Sequence, residues 1–106
     1  MTSWRAEQFD LLPQSVQQRW STYGEWGDHD SFSSIVGMAV DELRRDYARI
    51  SMPWRPQLNQ PNGLMHPGAI ATLVDTAVVP AIGTAYDDRR RYSTIELSVR
   101  YLSPVR

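Results

Sequence analysis

The sequence predicts an α+β domain in which antiparallel strands pack against one long helix, and three observations predict it. Residues 67–86 are the longest apolar stretch and open on Pro67. Residues 35–54 set apolar side chains among charges on either side of a polar break, and residues 93–102 alternate apolar and polar with period two. The chain has 106 residues, 42% hydrophobic and 22% charged, with 11 Lys plus Arg against 12 Asp plus Glu. It therefore reads as one ordinary soluble domain close to charge neutrality, and nothing in that balance calls for a nucleic-acid partner.

Residues 1–33 form a polar lead-in carrying Trp20, Tyr23, Trp26 and Phe32, and Pro13 followed by Gln-Ser-Val-Gln-Gln-Arg-Trp predicts a helix start. Two Gly and a cluster of Asp and Ser mark residues 23–34 as a loop. His29 lies there between Asp28 and Asp30, but three consecutive residues seldom converge on one ion without further ligands, so a solvated loop is the preferred reading. The main domain is expected over residues 34–106. Within it, Val40, Leu43, Tyr47, Ile50 and Met52 among charges predict two strands joined by a turn near residues 44–46, preferred to a helix over 36–50.

Residues 55–66 hold two Pro, two Asn and a Gly, which prevent regular structure. Pro67 suits a first helical position: its φ is preset, and the donor it lacks would be unpaired there anyway. The helix is expected to run to about residue 86, weakened at Pro80 and buried on all sides. Its length approaches that of a membrane span, but Asp75 sits near the middle. A centred Asp costs an inserted helix about 2.5–3.5 kcal/mol, so a core helix is the better reading. After the charged turn of residues 87–91, Ile95, Leu97, Val99 and Tyr101 alternate with Glu96, Ser98 and Arg100, predicting a strand.

All 11 cationic side chains are Arg, and Cys is absent. Without Lys there is no Schiff base and no phosphate-loop lysine. Without Cys there is no thiolate nucleophile, disulfide or sulfur-ligated zinc. No metal and no resident cofactor are expected. The first ten residues carry no apolar run of signal-peptide length, so a cytoplasmic protein off the membrane is expected.

A helix apolar all round has no reason to carry a carboxylate, because burying an unpaired charge is costly. Asp75 is thus the anomalous residue. Two readings stand: a structural Asp bonded to a neighbouring Thr or amide, or a base or nucleophile in a pocket. The helix start offers free N–H groups and the positive end of the helix dipole, suited to a carbonyl oxygen gaining charge. Yet the seven residues from Gly68 to Asp75 rise roughly 10.5 Å, too far for one small reacting centre. If both act together, the second comes from another subunit.

The segment N-G-L-M-H-P-G-A-I-A-T-L-V-D-T-A, followed about twenty residues later by S-T-I-E-L-S-V-R-Y-L-S-P, resembles the hotdog-fold acyl-CoA thioesterases of the phenylacetate-pathway (PaaI-like) type. The resemblance covers roughly residues 35–106. It implies a hotdog fold, with an antiparallel sheet wrapped around the long helix, and a homodimer or dimer of dimers with the active site at the subunit interface. It also implies hydrolysis of a small or medium acyl-CoA thioester, coenzyme A being part of the substrate. Asp75 resembles the family's general base or nucleophile, and Thr94 the hydroxyl that orients it or the water. His66, with the amides at the helix start, resembles the part that receives the thioester carbonyl. Asn59 resembles the family asparagine but lies seven residues before His66, where six is usual, so Gln60 or Asn62 is an alternative. Asn62 and Gly63 are expected beside the substrate.

Two departures from the family pattern bear on mechanism. Pro67 stands where the family has its first Gly after His, and it has no N–H to give an oxyanion, which passes that role to Gly68. The family also continues through roughly two more strands, so an incomplete sheet with an exposed edge over residues 93–102 is expected: either the chain is a fragment, or another chain covers that edge. Arg89, Arg90 and Arg91 are candidates for coenzyme A phosphates, against the plainer reading of a charged turn paired with Asp87 and Asp88. Related hydratases, whose helix also opens on Pro-Gly, carry their acidic residue about two positions earlier. Leu73 stands there, on the opposite face of the helix. A non-catalytic acyl-CoA or acyl-ligand binding module is the competing reading, consistent with Pro67.

Overall fold

In a computed structural model, which describes residues 4–26 and 31–105, the chain is a mixed α+β fold with a two-stranded antiparallel sheet and a long helix toward the C-terminus. His29 and its flanking aspartates, expected in a solvated loop, lie outside the described residues. Helix α1 spans Gln14–Ser21 directly after Pro13, as expected. Val16 and Trp20, four residues apart and so on one face, are fully buried. The expected loop over 23–34 instead contains a 3-10 turn, Tyr23–Glu25, and a short helix α2, Phe32–Ile35, capped by Ser31. A serine hydroxyl accepting the Ser34 amide supplies a local hydrogen bond that the composition count did not weigh.

Strands β1 (Ala39–Arg44) and β2 (Tyr47–Ser51) form the expected hairpin, with a bulge between Val40 and Glu42. Its two-residue turn puts Asp46 at φ 63°, a left-handed conformation that Asp tolerates better than most residues. The tip is clasped to the end of the long helix. The Asp46 amide donates to Thr84 Oγ1 at 3.1 Å, and Arg45 Nη1 donates to the Thr84 carbonyl at 2.7 Å. Thr84 is fully buried by these contacts.

Helix α3 spans Pro67–Gly83, starting where Pro67 places it and stopping short of residue 86, at the Thr84 cap. Pro80 stays inside the helix; its ring removes the donor for the Thr76 carbonyl without ending the helix. The expectation of burial on all sides is corrected. Ala69 and Leu73 pack on a core of Val36, Met38, Met52 and Leu58, and Val79 packs on a second core of Val16, Trp20 and Leu43. Val74, Val78 and Ile82, at successive spacings of four, are 43%, 47% and 49% exposed. A two-stranded sheet can cover only part of the helix circumference.

The strand expected over residues 93–102 is also corrected. The segment has no ladder partner among the described residues. It runs along α3 in the opposite sense: Thr94 bonds to Asp75 in mid-helix, and the Tyr101 hydroxyl donates to the Pro67 carbonyl at 2.8 Å. Alternation marks a side-chain pattern, whereas a strand also needs a neighbour for its N–H and C=O groups. No helix among the described residues is long and apolar enough to cross a membrane.

Candidate active site

Asp75 projects from the middle of α3, half-buried, with Thr94 Oγ1 donating to its Oδ1 at 2.7 Å. This joins two predicted site residues nineteen positions apart. A carboxylate has about four lone-pair positions, so one hydroxyl leaves it with capacity to accept a proton. It opens on a cavity of about 820 Å³ lined by Val78, Val79, Ile82, Tyr92, Ile95 and Leu97, with Arg91 and Glu96 also at its wall. Asp75 is thus bonded to a threonine and also faces a largely apolar cavity.

The helix start is arranged differently from expectation. His66 is the N-cap, and its Nδ1 accepts the Gly68 amide at 2.8 Å. This corrects the assignment of that amide as an open oxyanion donor, because its hydrogen is already engaged, and Pro67 has none to offer. Gly68 is required for the close approach: a Cβ there would lie 2.9 Å from His66 Nδ1. The His66 amide is engaged too, donating to the Leu58 carbonyl at 2.7 Å.

Asn59 turns toward Trp54, whose Nε1 donates to Asn59 Oδ1 at 2.9 Å. It lines a cavity of about 210 Å³ with Gly63 and Met65. Asn62 is exposed, and its amide donates to the Gln60 side chain. None of Asn59, Asn62, Gly63, His66 or Gly68 lines the Asp75 cavity. The helix rise calculated from sequence anticipates this separation, and within one chain the two groups remain apart.

The arginines divide. Arg90 pairs with Asp88 at 3.1 Å and stacks on Tyr86 at 3.8 Å, as the charged-turn reading has it. Asp87 instead pairs with Arg45 at 3.1 Å. Arg89 lies 5.4 Å over the Trp26 ring, and Arg91 reaches the Asp75 cavity. All three line a neighbouring cavity of about 330 Å³ with Trp20, Tyr23, Trp26 and Tyr92.

That second cavity contains what sequence reading passed over. Trp20 lies 4.8 Å from Trp26 and 5.5 Å from Tyr23, and Tyr23 meets Trp26 edge-on at 5.2 Å. Burial, and then the charge of Asp75, push the Tyr23 phenol above its ordinary value of 10.0, so it holds its proton at neutral pH. The signal was present in the three-residue spacing of Trp20, Tyr23 and Trp26, which puts aromatic rings on one side of the lead-in. Glu96, a second carboxylate at the Asp75 cavity, was counted only as a polar strand position. Among the described residues no group of three or more His, Cys, Asp or Glu is placed to hold a metal. No family model, curated protein or solved structure matches the chain.

Proposed function

We propose that the chain is an acyl-CoA thioesterase of the hotdog type, working as a homo-oligomer on small or medium acyl groups. The observation that carries this reading is Asp75: a carboxylate on an apolar helix, fixed by Thr94 at 2.7 Å, at the wall of a cavity of about 820 Å³. The hairpin laid against α3 supports the hotdog architecture. In the reaction, Asp75 takes a proton from water as the water oxygen bonds to the thioester carbon. The carbonyl π pair moves to oxygen, and the resulting oxyanion collapses to expel the thiolate. The thiolate recovers the proton from Asp75, giving a carboxylic acid and free coenzyme A.

Release of free thiol from a panel of aliphatic and aromatic acyl-CoA thioesters tests this. Asp75→Asn keeps the shape and the bond from Thr94 but is no base, and turnover is expected to fall about 10²- to 10⁴-fold. Equal rates in the two proteins would remove Asp75 from the mechanism. A binding module without catalysis is favoured by one observation, the engagement of the Gly68 amide next to a donorless Pro67. Tight binding of a thioether analogue of the acyl-CoA, with no turnover of the parent thioester, would select it.

A further inference from the structure

We infer that Tyr23, from the N-terminal lead-in, is the hydrogen-bond donor to the thioester carbonyl in the Asp75 site. The inference rests on the thioesterase reading and answers a problem that the geometry poses for it. A tetrahedral intermediate needs a donor aimed at its oxygen, and the helix start is poorly placed to supply one. Pro67 has no N–H, the Gly68 amide is spent on His66, and neither residue lines the cavity that Asp75 faces.

Tyr23 is placed to fill that gap. The cavity it lines, about 330 Å³, shares Val79, Arg91, Tyr92 and Ser93 with the Asp75 cavity, so the two are adjoining lobes of one cleft. Asp75 is close enough to act electrostatically on the phenol, while the carboxylate itself takes its hydrogen bond from Thr94. That leaves the cleft between base and phenol for a substrate carbonyl. The phenol stays protonated in this setting and can donate.

The ring is also held in place. It packs against both Trp20 and Trp26, which also touch each other, and the Trp26 Nε1 donates to the Arg19 carbonyl at 3.1 Å. The next residue, Gly24, is buried so tightly that a Cβ would lie 2.5 Å from the Met38 carbonyl oxygen. A donor that does not have to reorganise as charge develops is worth most in catalysis. The cleft also holds polar groups that the chain leaves unsatisfied. The Tyr92 hydroxyl, on the shared wall, and Trp20 Nε1, in the Tyr23 lobe, are buried with no hydrogen-bond partner among the described residues, and such groups call for a specific partner or role.

Tyr23→Phe removes the hydroxyl and keeps the ring, so thermal stability should change little. Its kcat on the best acyl-CoA thioester is expected to fall about 10²-fold with KM nearly unchanged, the mark of an interaction made mainly in the transition state. In parallel, the tyrosinate absorbance of Asp75→Asn should show one tyrosine titrating at lower pH than in the unsubstituted protein, and that tyrosine should be missing from Tyr23→Phe. An active protein in which Asp75→Asn is impaired, Tyr23→Phe is not, and the titration does not move overturns this inference and leaves the thioesterase reading standing. Absence of turnover across the whole panel overturns both.

Discussion

His66 Nδ1 caps α3 by accepting the Gly68 amide, and that bond takes away the very hydrogen that a thioester oxygen would need, so the cap stands in the way of the site role expected there. The two residues are also sterically bound together, since Gly68 lacks a Cβ at 2.9 Å from the imidazole. These facts predict an inversion of sign. Removing the cap with His66→Ala should cost about 1 kcal/mol, and His66→Asn should restore most of it. Gly68→Ala would ordinarily gain about 0.5–1 kcal/mol in a helix, but beside His66 the methyl crowds the ring and the gain is lost. In a His66→Ala background it should return. Chemical denaturation of the four proteins of this cycle measures the coupling, and strict additivity would show that the contact does not constrain the helix start.

At the scale of elements, α1 and α3 meet at one close contact. Gly83 faces Trp20 so closely that a Cβ would sit 2.0 Å from a ring carbon. Trp20 is 1% exposed and cannot swing into solvent without opening the core it shares with Val16 and Leu43. Gly83→Ala is therefore expected to destabilise by about 1–3 kcal/mol through overpacking, despite the better helix propensity of alanine. Adding Trp20→Phe should recover part of the loss, and a shift in the urea midpoint reports both. A fully neutral Gly83→Ala would mean that the helices can slide apart at little cost.

This junction also shows which parts of the fold were legible in the sequence. The start of α3 and the hairpin turn were readable because Pro67 and the polar break over residues 44–46 act locally. The contact of Gly83 with Trp20 joins residues far apart in sequence, and no local pattern records it. The period-two run of residues 93–102 was read correctly as a pattern and incorrectly as a strand, since hydrogen bonding depends on what lies alongside. At the site, Asp75 was legible because a carboxylate is out of place on an apolar helix, and Thr94 only through the family resemblance of its segment. Tyr23 was not, because a tyrosine among other aromatics looks like ordinary core until its cavity is seen to adjoin that of Asp75.

At the scale of the whole molecule, the exposed stripe of α3 and the site are the same surface. Val78 and Ile82, 47% and 49% exposed, line the Asp75 cavity together with Ile95 and Leu97, which are 100% and 45% exposed. Exposed apolar side chains grouped in this way are the kind of patch that takes up a ligand or a protein partner. The proposed occupant is a second copy of the chain. The argument for it is that these exposed apolar side chains form one continuous patch around the Asp75 cavity, and that the family resemblance implies a homodimer with its active site at the subunit interface. Sedimentation at micromolar concentration should give at least twice the 12.2 kDa of the single chain. Val74→Glu sets a charge on the same stripe, outside the lining of the Asp75 cavity and without touching either buried core. It should yield a folded monomer with an unchanged circular dichroism spectrum and turnover reduced in step with the lost dimer. A single 12.2 kDa species that retains full turnover would place the whole site within one chain and leave the apolar stripe without this explanation.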